Sequence, residues 1–140
     1  TRCRIVTGVQ TCALPIFTVS RPSQSAIRRL LEAWYRQEAH RVICDRVTRL
    51  AAKLNLSYGR IFIRNQKTRW GSCSTRRNLN FNWRLVTFPP PVMDYVIIHE
   101  LCHLEEANHS ARFWQLVESY CPDYRRHRSW LKEHALALPF

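Results

Sequence analysis

Apolar side chains recur every three or four positions in the segment that follows Pro22, which is the spacing of one helix face. Pro22 disfavours an earlier start, and Ser23 or Ser25 can cap the first turn. The pattern predicts one long helix, or two abutting helices, over residues 23–54, with a break from Asn55 onward. The apolar positions are Ile27, Leu30, Leu31, Trp34, Val42, Ile43, Val47, Leu50, Ala51 and Leu54.

Two short segments further along the chain predict β-strands. Residues 60–64 are rich in β-branched and aromatic side chains, and residues 78–82 alternate polar with apolar side chains, as a half-buried strand does. We interpret the polar stretch 72–78 as the turn between two paired strands.

The C-terminal half predicts three further helices. The prolines at 89–91 suit the first turn of a helix over about 92–106, because that turn leaves its amide hydrogens unbonded. Asn108 is expected to take a positive φ where the chain leaves this helix. Residues 110–120 and 122–134 predict two shorter helices. The elements together predict an α+β fold with a long N-terminal helix and a small β-sheet.

The composition is that of a basic protein that can bury a core. Lysine and arginine number 22 against 10 acidic residues, and 46% of the chain is apolar, which argues against disorder. No uncharged apolar run approaches about 18 residues, so no membrane span is expected. Glycine-rich phosphate motifs do not occur. The net charge of +12 leaves nucleic acid, anionic lipid and acidic protein open as partners, and it says nothing of oligomeric state.

Residues 1–16 do not have the pattern of a folded segment. Within them, residues 6–16 resemble one reading frame of a common high-throughput sequencing adapter. We interpret 1–16 as a non-native adapter scar and 17–140 as the domain, truncated at its N-terminus. A secretory signal peptide is the rival interpretation, but its apolar core would be short and broken by Thr, Gln and Gly.

The scar interpretation removes two cysteines from consideration. Those that remain form neither a CxxC pair nor a disulfide framework, so reduced thiols in a cytoplasm are expected. They are Cys44, Cys73, Cys102 and Cys121.

The strongest chemical signal is an HExxH motif that begins at His99. Residues four apart lie on one helix face, so His99 and His103 can bind one zinc ion at about 2.0–2.1 Å. Glu100 lies about 100° round the helix from His99, so it flanks the ion without binding it. A carboxylate there is placed to act as the general base for a water molecule.

A catalytic zinc site needs a third protein ligand, for which His109 is the leading candidate. It lies ten residues after His99, so the chain must leave the helix and turn back, which Asn108 is suited to allow. The metzincins share this spacing, but they place a glycine where this chain has Glu106, and no Met-turn motif follows. The alternative third ligands are Glu105, Glu106 and Glu118.

From about residue 33 to residue 131 the chain resembles the YgjP-like metallopeptidase domain, which is related to the SprT-like zinc proteases. The resemblance implies a zincin-like fold in a metal-dependent hydrolase. It also implies that His99, His103 and His109 are the metal ligands and that Glu100 is catalytic. The blocks that match, in the family's order, are residues 69–73, 95–104, 108–110, 113–114 and 122–124.

The chain departs from this family at two points. The β-rich region that usually precedes the long helix is absent, in agreement with the expected truncation. Cys102 stands where a small residue is common, and we interpret it as a core thiol. Within residues 69–73, whose chemistry the resemblance does not give, we expect Gly71 to allow a close backbone approach to the metal helix and Cys73 to be structural.

The residues together predict a zinc metallopeptidase with a protein or peptide substrate, in which Glu100 moves a proton from water to the leaving amine. Hydrolysis of other amides is an alternative, since the same groups serve it. A second stabiliser of the oxyanion is also expected. Its candidates, which the sequence does not rank, are Tyr120, Tyr124, Arg84 and His127.

Two other classes of function stay open. One is a nucleic-acid-associated protein that acts on DNA-bound proteins, by analogy with SprT-like relatives. The basic clusters at 76–77 and 125–128 and the five tryptophans agree with it. Those residues equally fit tryptophans packed in the core and solvated arginines. The other class is a zinc-stabilised module without activity, against which Glu100 argues because a structural site favours a fourth protein ligand.

Overall fold

The long N-terminal segment forms one continuous helix, α1 (Gln24–Leu54), in the computed structural model, which describes residues 21–134. The Ser23 hydroxyl caps this helix by accepting a hydrogen bond from the amide of Ala26. Asn55 ends it in the left-handed conformation, with a φ of 56°. The predicted helix is therefore confirmed, and the alternative of two helices is wrong. The expected scar at 1–16 lies outside the described residues.

Three short strands form the sheet: β1 (Ile61–Arg64), β2 (Gly71–Cys73) and β3 (Leu79–Asn82). The central strand β3 pairs in parallel with β1 and antiparallel with β2. Both predicted strands are present and adjacent, but the polar turn joins β2 to β3 rather than β1 to β3. The sequence pattern does not reveal β2, because Gly-Ser-Cys has little intrinsic β-propensity and depends on its pairing with β3.

A 3₁₀ helix (Trp83–Thr87) follows β3 directly and packs against α1, an element that the sequence does not predict. Trp83 is 1% exposed and stacks on Tyr35 of α1, with 6.1 Å between ring centroids. The buried Asn82 begins this helix, because its Oδ1 accepts a hydrogen bond from the amide of Arg84. Helix α1 therefore covers the junction between β3 and the 3₁₀ helix.

The central element is helix α2 (Pro90–Cys102), which contacts α1, β2 and both later helices and is buried along most of its length. An ion pair of 2.6 Å between Arg46 and Asp94 joins it to α1. The helix predicted over 92–106 ends four residues early. The chain tightens after Cys102, because the amides of Leu104 and Glu105 bond to carbonyls three residues back instead of four.

The two C-terminal helices, α3 (Ala111–Tyr120) and α4 (Tyr124–His134), agree with the predicted segments. Ser110 caps α3 by accepting a hydrogen bond from the amide of Phe113. The α+β architecture is therefore confirmed. Within residues 21–134, no helix combines the length and the apolar character that a membrane crossing needs.

The tryptophans do not share one environment. Trp83 lies in the core, as core packing predicts, whereas Trp34 is 57% exposed on α1. Trp70, Trp114 and Trp130 are half-buried. The nucleic-acid association and cytoplasmic location drawn from the sequence stay predictions.

Candidate metal centre

Three histidine side chains meet at the C-terminal end of α2. His99 lies in its last turn, His103 caps it, and His109 directly precedes the residue that caps α3. The Nε2 atom of His109 lies 3.0 Å from that of His99 and 3.1 Å from that of His103. Two nitrogens bound to one tetrahedral zinc ion lie about 3.3 Å apart. The structure therefore brings the three predicted ligands together at the spacing of a metal site.

The hydrogen bonds of these rings fit a bound cation. The Nδ1 of His103 lies 2.9 Å from the backbone carbonyl of Glu106, which only accepts, so this nitrogen carries the proton. In the neutral ring the Nε2 of His103 then presents a lone pair. The Nε2 of His109 faces two such nitrogens, and a single N–H cannot donate well to both. One metal ion would accept all three lone pairs.

Two aromatic residues of α3 pack against the imidazole rings. The fully buried Phe113 has its ring centroid 4.9 Å from that of His99, 4.4 Å from that of His103 and 4.9 Å from that of His109. Trp114 stacks on His109 at 5.8 Å. Within the described chain, the buried Nδ1 of His99 has no hydrogen-bond partner, so ring packing orients this imidazole. This platform was not predicted, although the aromatic pair soon after His109 is a signal for it.

The chain returns from α2 to α3 without the backbone conformation that the sequence predicts. Among the described residues other than glycine, only Asn55 and Arg77 have a positive φ, so the expectation for Asn108 is wrong. Instead, the amides of Leu104 and Glu106 bond to carbonyls of the last turn of α2. An ion pair of 2.8 Å between Glu106 and Arg112 then fastens this turn to α3.

The alternative third ligands lie apart from the three histidines. The carboxylate of Glu106 pairs with Arg112, and that of Glu118 lies 3.7 Å from the guanidinium of Arg125. Neither of these carboxylates, nor that of Glu105, belongs to the cluster that the three imidazoles form in the described part of the chain.

Desolvation keeps two of the three imidazoles, those of His99 and His109, in the form that binds metals. Desolvation, helped by the charges of His103, His109 and Arg128, lowers the pKa of His99 to about 3. The pKa of His109 is also lowered, chiefly by desolvation. Both rings are therefore neutral at pH 7, and a metal ion does not have to displace a proton from them.

Glu100 lies beside the histidines and against the backbone of β2. It is 6% exposed, and a Cβ atom on Gly71 would lie 2.7 Å from its Cγ and 2.8 Å from its Oε1. The close approach expected at Gly71 is therefore confirmed. Burial raises the pKa of Glu100 to about 8, against the opposing effect of the Arg69 charge.

Two cavities open beside this carboxylate. The larger, of about 840 Å³, lies along β2 and the three histidines. The smaller, of about 220 Å³, lies between α2, residues 68–71 and Leu131 of α4. Both are lined by Arg69, Gly71, His99 and Glu100. The half-buried Cys73 also lines the larger one, whereas Cys102 is fully buried, as expected of a core thiol.

None of the four candidates for a second oxyanion stabiliser lines either cavity. Tyr124 is buried against Trp114, with 5.4 Å between the ring centroids. Arg84 bonds to Asn65, and His127 lies beside Tyr95. Arg69, by contrast, is a cationic side chain that lines both cavities. It belongs to the block 69–73, for which the family resemblance gives no chemistry.

Comparison with known proteins gives one matching family model and several solved chains of similar fold. The family model described as "YgjP-like, metallopeptidase domain" matches residues 6–134. This match begins inside the segment interpreted as a scar, so the origin of residues 1–16 stays a prediction. No curated protein matches the chain.

Two of the similar structures are metallopeptidase zymogens. Abylysin of Pyrococcus abyssi has 22% identity and a TM-score of 0.57, with 65% of this chain and 93% of that chain covered. Jannalysin of Methanocaldococcus jannaschii has 27% identity and a TM-score of 0.52, with 59% of this chain and 89% of that chain covered. The likeness shows a shared zincin-like fold.

Proposed function

The chain belongs to the YgjP-like metallopeptidase family, and from this we propose that it is a zinc-dependent peptidase. The proposed ligands are His99, His103 and His109, and Glu100 is the proposed general base. The observation that carries the proposal is the convergence of three imidazole nitrogens beside one buried carboxylate. Three nitrogen ligands leave a position open on a tetrahedral ion, as catalytic zinc sites require.

Each residue of the site has a role that its surroundings support. When bound, zinc polarises the peptide carbonyl, lowers the pKa of a water molecule and, as an adjacent positive charge, favours the ionised form of Glu100. Glu100 takes a proton from the attacking water and delivers it to the leaving amine. The backbone of Gly71 limits where the carboxylate of Glu100 can lie.

The larger cavity favours a peptide over a small amide as the substrate. Its wall contains β2, which is an edge strand of the described sheet because it pairs only with β3. The outer edge of such a strand presents backbone groups to which an extended peptide can bond. The volume of about 840 Å³ also lies within the range of about 300–1,000 Å³ that is usual for ligand sites.

Removal of the metal is expected to abolish hydrolysis reversibly. The zinc-loaded chain should cleave members of a mixed peptide library, and treatment with 1,10-phenanthroline followed by desalting should stop the cleavage. New peptide ends are counted by mass spectrometry. Addition of one equivalent of zinc should restore the activity, whereas magnesium, which prefers oxygen ligands, should not. A folded, zinc-loaded chain that cleaves no peptide would contradict the proposal.

A methyl group at position 71 is expected to lower activity without releasing the metal. In Gly71→Ala the added Cβ would displace the carboxylate of Glu100, and a shift of about 1 Å at a reacting group costs about 100-fold in rate. Zinc content and peptide hydrolysis are measured on the same preparation, with Ser119→Ala, at an exposed position of α3 that lines neither cavity, as the control. Unchanged activity in Gly71→Ala would show that the position of Glu100 does not matter.

A further inference from the structure

The strongest unused feature of the site is Arg69, whose guanidinium has no hydrogen bond or ion pair within residues 21–134. It is exposed at the junction of the two cavities, where its charge acts on Glu100. The other arginine of the larger cavity, Arg77, is already engaged, because its guanidinium donates to the carbonyl of Ser57 at 2.6 and 3.2 Å. Arg69 is therefore the cation that can accept an anionic partner there.

The backbone that bears Arg69 is fixed, although its side chain is free. The buried amide of Asn82 donates to the carbonyl of Gln66 at 2.7 Å and to that of Arg69 at 3.3 Å. The backbone amide of Asn82 also donates to the carbonyl of Trp70 at 2.8 Å. These bonds hold the segment before β2 against β3. The position of Arg69 beside the cleft is thus set before any ligand arrives.

The smaller cavity differs in chemistry from the larger one. Its wall includes the apolar side chains of Trp70, Val96 and Leu131 and the ring of Tyr95. Its volume of about 220 Å³ is below the range of about 300–1,000 Å³ usual for a whole ligand, so it suits a single side chain. The larger cavity is lined along β2 by small polar residues, among them Ser72 and Ser74. Arg69 lies where the two environments meet.

We propose that Arg69 is a specificity-determining residue, and that the cleft selects peptide segments in which an acidic side chain lies next to an apolar one. The apolar side chain occupies the smaller cavity, and the carboxylate pairs with the guanidinium of Arg69, whose planar fork matches it. This inference rests on the proposed peptidase function. It adds the class of peptide that the site takes.

The test measures binding to the zinc-loaded Glu100→Gln chain, so that no probe is consumed. The probes are fluorescein-labelled hexapeptides with Glu-Leu or Leu-Glu at the centre of a glycine chain, each matched by a peptide with Gln in place of Glu. Fluorescence anisotropy should show about fivefold tighter binding of a Glu peptide than of its Gln match, a modest ratio because Arg69 is exposed. Replacement of Leu by Ser in the probe should weaken binding.

Two variants that each remove one positive charge separate a specific contact at Arg69 from general attraction to a basic protein. Arg69→Gln should abolish the preference for Glu over Gln. Arg76→Gln removes the same charge from an exposed position in the turn between β2 and β3 that lines neither cavity, so it should keep the preference. Equal loss in both variants, an unchanged ratio in Arg69→Gln, or no binding of either probe would overturn the inference.

Failure of this inference is distinguishable from failure of the proposed function. If the chain with Glu100 intact cleaves peptides without regard to their charge, the peptidase function stands and the role of Arg69 falls. If the Glu probe binds selectively but no peptide is cleaved by that chain, the selectivity stands and the peptidase function falls.

Discussion

Replacement of Glu100 by glutamine is expected to lower peptide hydrolysis by about 100- to 10,000-fold, the range typical of a lost general base. The amide has nearly the same shape as the carboxyl group, so it keeps the packing against Gly71, but it cannot take a proton from water. Zinc binding should persist, because Glu100 is not one of the three converging ligands. The measurements are kcat/KM and the zinc content of the same preparation.

Glu105→Gln is the matched control for this experiment. Glu105 is an exposed glutamate of the turn after α2, outside the histidine cluster, so its variant should behave as the unmodified chain does. Full activity in Glu100→Gln would rule out the proposed general base. Loss of zinc from that variant would instead make Glu100 a ligand and would require a different proton acceptor.

The parts of the fold that follow from local patterns are the parts that the sequence predicts. Helical spacing identifies α1, and Ser23, one of its two candidate caps, begins it through a bond with a nearby amide. The strand β2 and the 3₁₀ helix after Asn82 do not follow from such patterns. They depend on pairing with β3 and on packing against α1, contacts between residues far apart in the chain.

The candidate site likewise has a part that follows from local sequence patterns and a part that depends on tertiary contacts. The HExxH spacing places two imidazoles and a carboxylate on one helix, so their proximity follows from helix geometry alone. The approach of His109 is favoured by the sequence but depends on a tertiary turn, in which Asn108 does not take the positive φ expected of it. The role of Arg69 could not be predicted, because it arises where separate elements meet around the cavities. The contact of Phe113 with the imidazoles also depends on the tertiary fold, although the aromatic pair at 113–114 is a signal for it.

Replacement of His109 by alanine is expected to weaken zinc binding by more than about 100-fold, beyond the effect usual for residues that only orient a ligand. Its Nε2 is the atom that lies near both other nitrogens, so its loss leaves two ligands where a catalytic site needs three. The side chain is exposed, so the chain should stay folded. Competition with a zinc-chelating dye measures the affinity, and circular dichroism checks the fold.

The control for this variant is His127→Ala. His127 lies near the site, with its ring centroid 6.2 Å from that of Tyr95, but it does not belong to the histidine cluster. Its variant should therefore bind zinc as the unmodified chain does, which excludes a general effect of losing an imidazole from this region. If His109→Ala retains zinc, the third ligand must be another residue, and alanine variants of Glu105, Glu106 and Glu118 would then identify it by the loss that His109→Ala failed to produce.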